Sequence, residues 1–501
     1  MATAAQARVV ETETAPAEQF DVVIVGAGIS GVGGAYHLQT QCPGTRYVIL
    51  DTLESFGGTW LTHRYPGIRS DSDLFTFGYR FKPWKGAPIA TAEEILKYMG
   101  EVIEENGIDQ HIRYRHKITK ASWSSERNRW TLDVANLASG ESFQIETPFL
   151  WMCQGYYRHD KGYTPTWPGM DRYKGTIVHP QTWPENLDYK DKTVLVIGSG
   201  ATAATLVPAI AGQTKHVTLL QRSPTYFVPA QNINDMAELL RGLEVDDAWV
   251  HEITRRKILK DQAELTQVCI EQPEVAKEFL LNGVRAYLGD EEVKANFTPK
   301  YRPWQQRVAF VPDGDLFQGI KAGKANVVTD EIETFNETGV LTKSGKQLDA
   351  DIIVTATGFD LSVLGDIQFS VDGQPLDFSK TVTYRGMMFT GLPNLVWIFG
   401  YFRASWTLRA DMIGDFVCRL LKHMKEKGVQ RVEVKLRPED KDMPLLPWMD
   451  PNNFNPGYLM RSMHLLPKRG DKPEWQHTQD YWMERKTLPA IDLDGAEFVY
   501  S

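Results

Sequence analysis

The chain has 501 residues, 42% hydrophobic and 24% charged, with a formal net charge of −9 at pH 7. That size and composition fit a globular protein of two or three domains, and an acidic balance with no basic stripe excludes a nucleic-acid partner. Cys42, Cys153, Cys269 and Cys418 stand far apart with no C-x-x-C or ligand spacing, which argues against a disulfide framework or a metal site and for a reducing compartment, the cytoplasm.

Residues 1–18, rich in Ala, Thr and Glu, have the form of neither a signal nor a transit peptide and read as a flexible tail. Residues 20–25 are a short apolar run, a glycine-rich turn follows, and residues 46–50 form a second apolar run ending in Asp51. This is a strand, helix, strand unit. Thr91 and Glu94 form a capping box, after which Ile95, Tyr98, Met99 and Val102 recur at helical spacing as far as Gly107. The β-prone runs 116–123 and 130–134 flank a turn and predict a hairpin. A second strand, turn, helix, strand unit spans 193–220. Between about 235 and 296 charged and apolar residues alternate at helical spacing, which predicts a helical insertion in the second unit. Short strands follow at 327–342 and 351–355, and a helix from about 405 to 427 closes the pattern. The most apolar late stretch, 387–402, is broken by Gly391, Pro393 and Asn394 and is too short for a membrane span of ~20 apolar residues.

The fold class expected is therefore α/β, with two Rossmann-like dinucleotide-binding domains and a helical insertion. Residues 19–155 and 350–501 are assigned to one domain and 156–349 to the other.

The first turn, Gly26-Ala27-Gly28-Ile29-Ser30-Gly31, lies between strand and helix and precedes the acid Asp51. Such glycines let the backbone approach a pyrophosphate on helix N–H groups, while the acid accepts from ribose hydroxyls. The second turn, Gly198-Ser199-Gly200-Ala201-Thr202-Ala203, is followed by a strand ending in Gln221-Arg222-Ser223. Arg222 offers a fork for a 2′-phosphate, so this site reads as NADP and the first as FAD. Two dinucleotides in one chain imply hydride transfer from NADPH to flavin. No redox cysteine pair follows the first unit, so the electrons go to oxygen, to another protein or to a substrate.

Tyr173-Lys174-Gly175-Thr176-Ile177-Val178-His179-Pro180-Gln181-Thr182-Trp183-Pro184 resembles the F-x-G-x-x-x-H-x-x-x-W-P fingerprint of type I Baeyer–Villiger monooxygenases, with Tyr173 in place of Phe. Gly57-Gly58-Thr59-Trp60, Tyr65-Pro66-Gly67 and Asp71 are similar to that family's second fingerprint. Segments 64–73, 198–208, 221–226 and 313–317 are most similar to its ethionamide-activating subgroup.

The resemblance implies FAD and NADPH as cofactors, and molecular oxygen with a ketone or sulfide as substrates. In the family, oxygen adds to reduced flavin at C4a and the peroxide converts a ketone to an ester or lactone. The resemblance makes Arg307 the cation of this chemistry and Asp71 its carboxylate partner. It places Thr59, Trp60, Asp71 and Ile118 against FAD, and Arg69 and Ser70 with the second turn against NADP. Gln306 stands where many relatives have lysine. His179 and Trp183 are assigned to cofactor-linked motion, and residues 405–409 to a helix N-terminus aimed at the flavin. A flavin-dependent N- or S-monooxygenase and an NADPH–flavin reductase serving a protein acceptor are the alternatives.

Overall fold

The computed structural model describes residues 17–501. Val22–Val25 is buried at every position and is the middle strand of a five-stranded parallel sheet ordered Leu395–Trp397, Phe149–Met152, Val22–Val25, Tyr47–Leu50, Ile112–Arg113. A strand covered on both faces has no polar side to alternate with, which explains the unbroken Val-Val-Ile-Val run. Each such side chain contributes about 1.5–3 kcal/mol by leaving water.

A second parallel sheet repeats the plan in the order Thr176–Val178, Ile352–Thr355, Thr193–Ile197, His216–Gln221, Ala325–Thr329. Ile352–Thr355 thus belongs to this sheet and not to the first unit, where the boundary at 350 would put it. It is the counterpart of Phe149–Met152: in both sheets the strand before the glycine turn is flanked by a returning strand whose next carbonyl closes on that turn.

The chain passes between the two units twice. Tyr157–Gly162 on the outward passage pairs antiparallel with Phe359–Leu361 on the return.

The capping box forms, with Thr91 Oγ1 accepting from Glu94 N and Glu94 Oε2 accepting from Thr91 N, and it opens the helix Ala92–Glu105. The hairpin also forms, as His116–Ser124 with Arg129–Asn136. It belongs to a largely antiparallel sheet, one edge strand of which is Glu18–Gln19. Residues 1–16 of the expected tail lie outside the described residues. Glu18, however, is no tail residue: Arg113 holds its carboxylate through two bonds of 2.7 Å.

Four helices, Asp235–Gly242, Asp247–Glu271, Pro273–Leu288 and Asp290–Asn296, occupy the expected insertion. They serve both units. Pro273–Leu288 packs on the second, whereas buried Arg255 in Asp247–Glu271 donates to the carbonyls of Phe75, Thr76 and Gly78 at 2.9, 3.1 and 3.1 Å. Those carbonyls end the short helix Leu74–Phe77, so the insertion caps an element of the first unit.

The helix Trp406–Lys427 lies along the first-unit helix Ile29–Gln41. Cys42, solitary in sequence, thereby meets Cys418 and donates to its carbonyl at 3.6 Å. Among the described residues no helix is long and apolar enough to cross a membrane.

Candidate active site

A cavity of about 990 Å³ lies between the two units and is lined by both glycine turns. Gly26 and Gly198 have φ of +102° and +127°, a backbone that favours glycine. A Cβ at Gly26 would lie 2.9 Å from Cys153 O, and one at Gly198 would lie 2.2 Å from Ala356 O, so the returning strands exclude any side chain.

The next glycine of each turn behaves differently. A Cβ at Gly28 would meet nothing nearer than Gly58 Cα at 3.8 Å, and one at Gly200 would meet nothing within 4 Å. Both positions face open cavity, and no side chain caps the helix that follows either of them. Bare N-terminal N–H groups beside free volume suit a pyrophosphate at each turn.

Asp51 is buried, and its Oδ2 accepts from Ala27 N at 2.5 Å while Oδ1 accepts from Leu53 N at 2.8 Å. Burial pushes its carboxyl up and these N–H donors pull it down. It lines the cavity with Ser30, Thr59, Trp60, Arg69, Ser70 and Asp71. Thr59 Oγ1 lies 2.6 Å from Tyr157 Oη, and Trp60 meets Phe77 edge to face at 5.7 Å. Arg69 holds Asp315 through bonds of 2.6 and 3.2 Å, and Ser70 folds its hydroxyl onto Ser72 O.

Ser199, Ala201, Thr202, Arg222 and Ser223 line the far side. Ser199 Oγ donates to Ser223 O at 2.8 Å, tying the second turn to the strand end that carries Arg222.

Two expected contacts lie elsewhere. Ile118 does not line the cavity: strand alternation turns it into the core, paired with Val134. Gly31 is likewise absent from the wall, because its Cα packs under the turn and a Cβ there would fall 1.8 Å from Gly26 O.

Arg307 and Asp71 form a forked pair in the cavity wall, with Nε to Oδ2 at 2.6 Å and Nη2 to Oδ1 at 3.0 Å. The neighbouring aspartate explains why Asp71 is free for this. Asp73 takes the local capping duty, accepting from Phe75 N at 2.9 Å.

The Arg307 loop is held by the C-terminal part of the chain. Arg403 donates to Trp304 O at 3.2 Å, Asn455 N donates to Gln305 O at 2.9 Å, and Trp304 sits at φ +61°. A tryptophan in that conformation needs such surroundings to hold it. Burial opposes the charge of Arg307, but Asp71, Tyr458 and Tyr156 outweigh it, so the guanidinium is firmly cationic. Tyr156 and Tyr458, 6.2 Å apart, are themselves pushed up by burial and stay neutral.

His179 also lines the cavity, with Nδ1 accepting from Gln181 N at 3.1 Å and Nε2 buried with no hydrogen-bond partner among the described residues. Gln181 donates to Arg158 O and Lys161 O on the outward passage, so this segment grips the connecting ribbon. Trp183 is core of the second unit, and Tyr173, where the fingerprint has Phe, donates to Ala350 O at 2.8 Å. At the last long helix, Trp406 lines the cavity and donates to Ser30 Oγ at 2.8 Å. Arg409 points away, into a buried pair with Glu484 at 2.7 Å.

Sequence reading missed Tyr156, Tyr458 and Arg461, all in the wall. The first adjoins the Phe149–Met152 strand end, a position α/β folds use for ligands. The other two carry no motif.

Comparison with known proteins agrees with this geometry. Residues 24–84 match the NAD(P)-binding Rossmann-like domain and residues 88–236 the flavin-binding monooxygenase-like family. The FAD-containing monooxygenase EthA of Mycolicibacterium smegmatis is 46% identical, covering 95% of this chain and 96% of its own. The putative FAD-containing monooxygenase MymA of Mycobacterium tuberculosis is 43% identical over 95% and 96%. A steroid monooxygenase bound to NADP superposes with a TM-score of 0.76 at 23% identity over 96% and 99% of the two chains, as does OTEMO with FAD and NADP at 0.76, 20%, 97% and 100%. A two-nucleotide flavin monooxygenase is the class these features define. The chain belongs to the FAD-containing monooxygenase family of EthA and MymA, and its cofactors are FAD and NADP.

Proposed function

We propose that the protein is a Baeyer–Villiger monooxygenase, turning a ketone, O2, NADPH and a proton into an ester or lactone, NADP+ and water, with sulfide oxidation as a side activity. It would work in the cytoplasm, where NADPH is supplied. The Arg307–Asp71 fork, facing the cavity between the two turns, carries this reading. The first turn would hold FAD through Gly26, Gly28, Ser30 and Asp51, and the second NADP through Gly198, Gly200 and Arg222.

Bound flavin supplies electron transfer from NADPH and activation of oxygen. Arg307 supplies positive charge beside the reacting carbonyl, where an oxyanion develops as oxygen adds. Asp71 fixes the plane of the guanidinium and leaves one edge to the substrate. Tyr156, Phe402 and Trp406 exclude water, which strengthens that charge interaction.

Arg307→Ala should retain flavin and consume NADPH while ester formation falls by ~10² or more, as when one stabiliser of an oxyanion is lost. The electrons should appear as hydrogen peroxide. Lysine should rescue poorly because a point charge cannot reproduce the fork. Ester, peroxide and NADPH are measured together on linear, cyclic and aryl ketones and on a sulfide. Parental coupling in the alanine variant would remove Arg307 from this role. Sulfoxide without any ester from the parent enzyme would make it an S-monooxygenase, and neither product would leave a reductase.

A further inference from the structure

Arg461, in the helix Gly457–Ser462, faces the same cavity as Arg222, although the two come from opposite units. Its guanidinium carbon lies over the Tyr163 ring, 3.5 Å from the centroid, and one nitrogen reaches Phe359 O at 3.3 Å. Tyr163 directly follows the outward strand Tyr157–Gly162 and Phe359 opens the return strand, so Arg461 is set at the junction of the two units.

Among the described residues neither Arg222 nor Arg461 has a carboxylate partner within salt-bridge distance. Asp360 is near Arg461 but is held by Arg158 at 3.0 Å and Lys161 at 3.4 Å. The acids of the rim are engaged as well: Asp330 accepts from Ser344 Oγ at 2.5 Å and Glu331 binds Lys343 at 2.6 Å. Gln306, also in the wall, brings no charge and lies 3.4 Å from Asn455 Oδ1. Burial depresses the guanidinium of Arg461, Tyr163 and Asp360 oppose that, and the charge of Arg222 adds a smaller depression.

Two arginines that line one cavity with no carboxylate in salt-bridge contact among the described residues repel each other until an anion lies between them, and planar guanidinium forks match a phosphate. We propose that Arg461 is the second cation for the 2′-phosphate of NADP, closing on it from the first unit while Arg222 and Ser223 hold it from the second. The inference rests on the assignment of Arg222 to that phosphate. Stacking on Tyr163 keeps the guanidinium at the cavity edge before the nucleotide arrives, so little side-chain freedom is lost on binding.

The test is calorimetric titration of the FAD-loaded enzyme with NADP+ and, separately, NAD+. Arg461→Ala should weaken NADP+ by at least about tenfold, the loss of one charge-assisted contact, and leave NAD+ within about twofold. Arg461→Lys should recover part of the loss. The double variant with Arg222→Ala should lose less than the product of the two single losses, since both groups serve one phosphate. Full flavin occupancy in each variant verifies the fold. Equal weakening of both nucleotides, or of neither, would overturn the role of Arg461 while a selective loss in Arg222→Ala kept the assignment of the second turn. If Arg222→Ala also failed to discriminate, that assignment would fall with it.

Discussion

At the first turn the returning strand presents Cys153 O to Gly26, and at the second it presents Ala356 O to Gly198. Gly28 and Gly200 then open on free volume in the same way. The two regions part company behind this common backbone. The first turn has Gly31 against Gly26 O, the second carries the methyl of Ala203; the first is followed by buried Asp51, the second by exposed Arg222. The helix after the first is clamped by a charged histidine, with His37 Nε2 3.2 Å from Asp411 and Nδ1 3.3 Å from Asp415. On the proposed assignment, phosphate binding is a property of the turn, whereas the choice of nucleotide belongs to the end of the next strand.

Gly31→Ala would break this comparison most severely. Its Cβ has only 1.8 Å to Gly26 O, so the variant should purify without flavin. In the second turn the converse change, Ala203→Gly, removes a methyl already accommodated and should cost only about 1 kcal/mol of helix propensity. Absorbance at the flavin band and thermal melts separate the two results; a yellow Gly31→Ala protein would mean that the first turn is looser than its contacts imply.

The His37 clamp comes next. Burial works against its charge, but the bonds to Asp411 and Asp415 outweigh it and raise its pKa to about 9. A folded value above the ordinary 6.5 gives stability that is complete below pH 6.5 and lost as pH rises through about 9, on the order of 3 kcal/mol. Urea unfolding should therefore separate the parent from His37→Gln widely at pH 6 and hardly at pH 9.5. A gap independent of pH would mean that His37 is neutral.

The smallest effect tests nucleotide choice. Arg222→Ala should raise KM for NADPH by at least about tenfold and leave NADH nearly unchanged, the value of one charge-assisted contact. Equal losses would remove Arg222 from the 2′-phosphate.

Much of this was legible because it is local. The Val22–Val25 run, the turns, the Thr91–Glu94 box and the hairpin each depend on neighbours within a few residues. Ile352–Thr355 looks like any buried strand, and only the pairing with Thr193–Ile197 reveals its sheet. Glu18 and Gln19 form a strand because Arg113 and the edge at Ile145 receive them, which no pattern in the tail encodes. Ile118 went astray because a resemblance names positions without stating which face of a strand they occupy. Asp71 and Arg307, 236 residues apart, were joined by resemblance, and the helix cap at Asp73 explains why that pairing is physically open. Arg255, a single arginine in a charged helix, shows its purpose only against the carbonyls it meets.

The antiparallel ribbon of Tyr157–Gly162 and Phe359–Leu361 has a consequence for how such a chain is assembled in evolution and in the laboratory. Entry and exit of the second sheet run side by side, so the whole of it is spliced into the first unit as a loop insert would be, leaving the host's core uncut. Exchange of nucleotide modules between relatives needs two joints, one on each strand of the ribbon. The natural cassette is not the entire span, however: Asp247–Glu271 caps Leu74–Phe77 through Arg255, and a transplant that carried this helix away would take the Arg255 donor from Phe75 O, Thr76 O and Gly78 O, of which Thr76 O keeps its bond from Thr407 Oγ1.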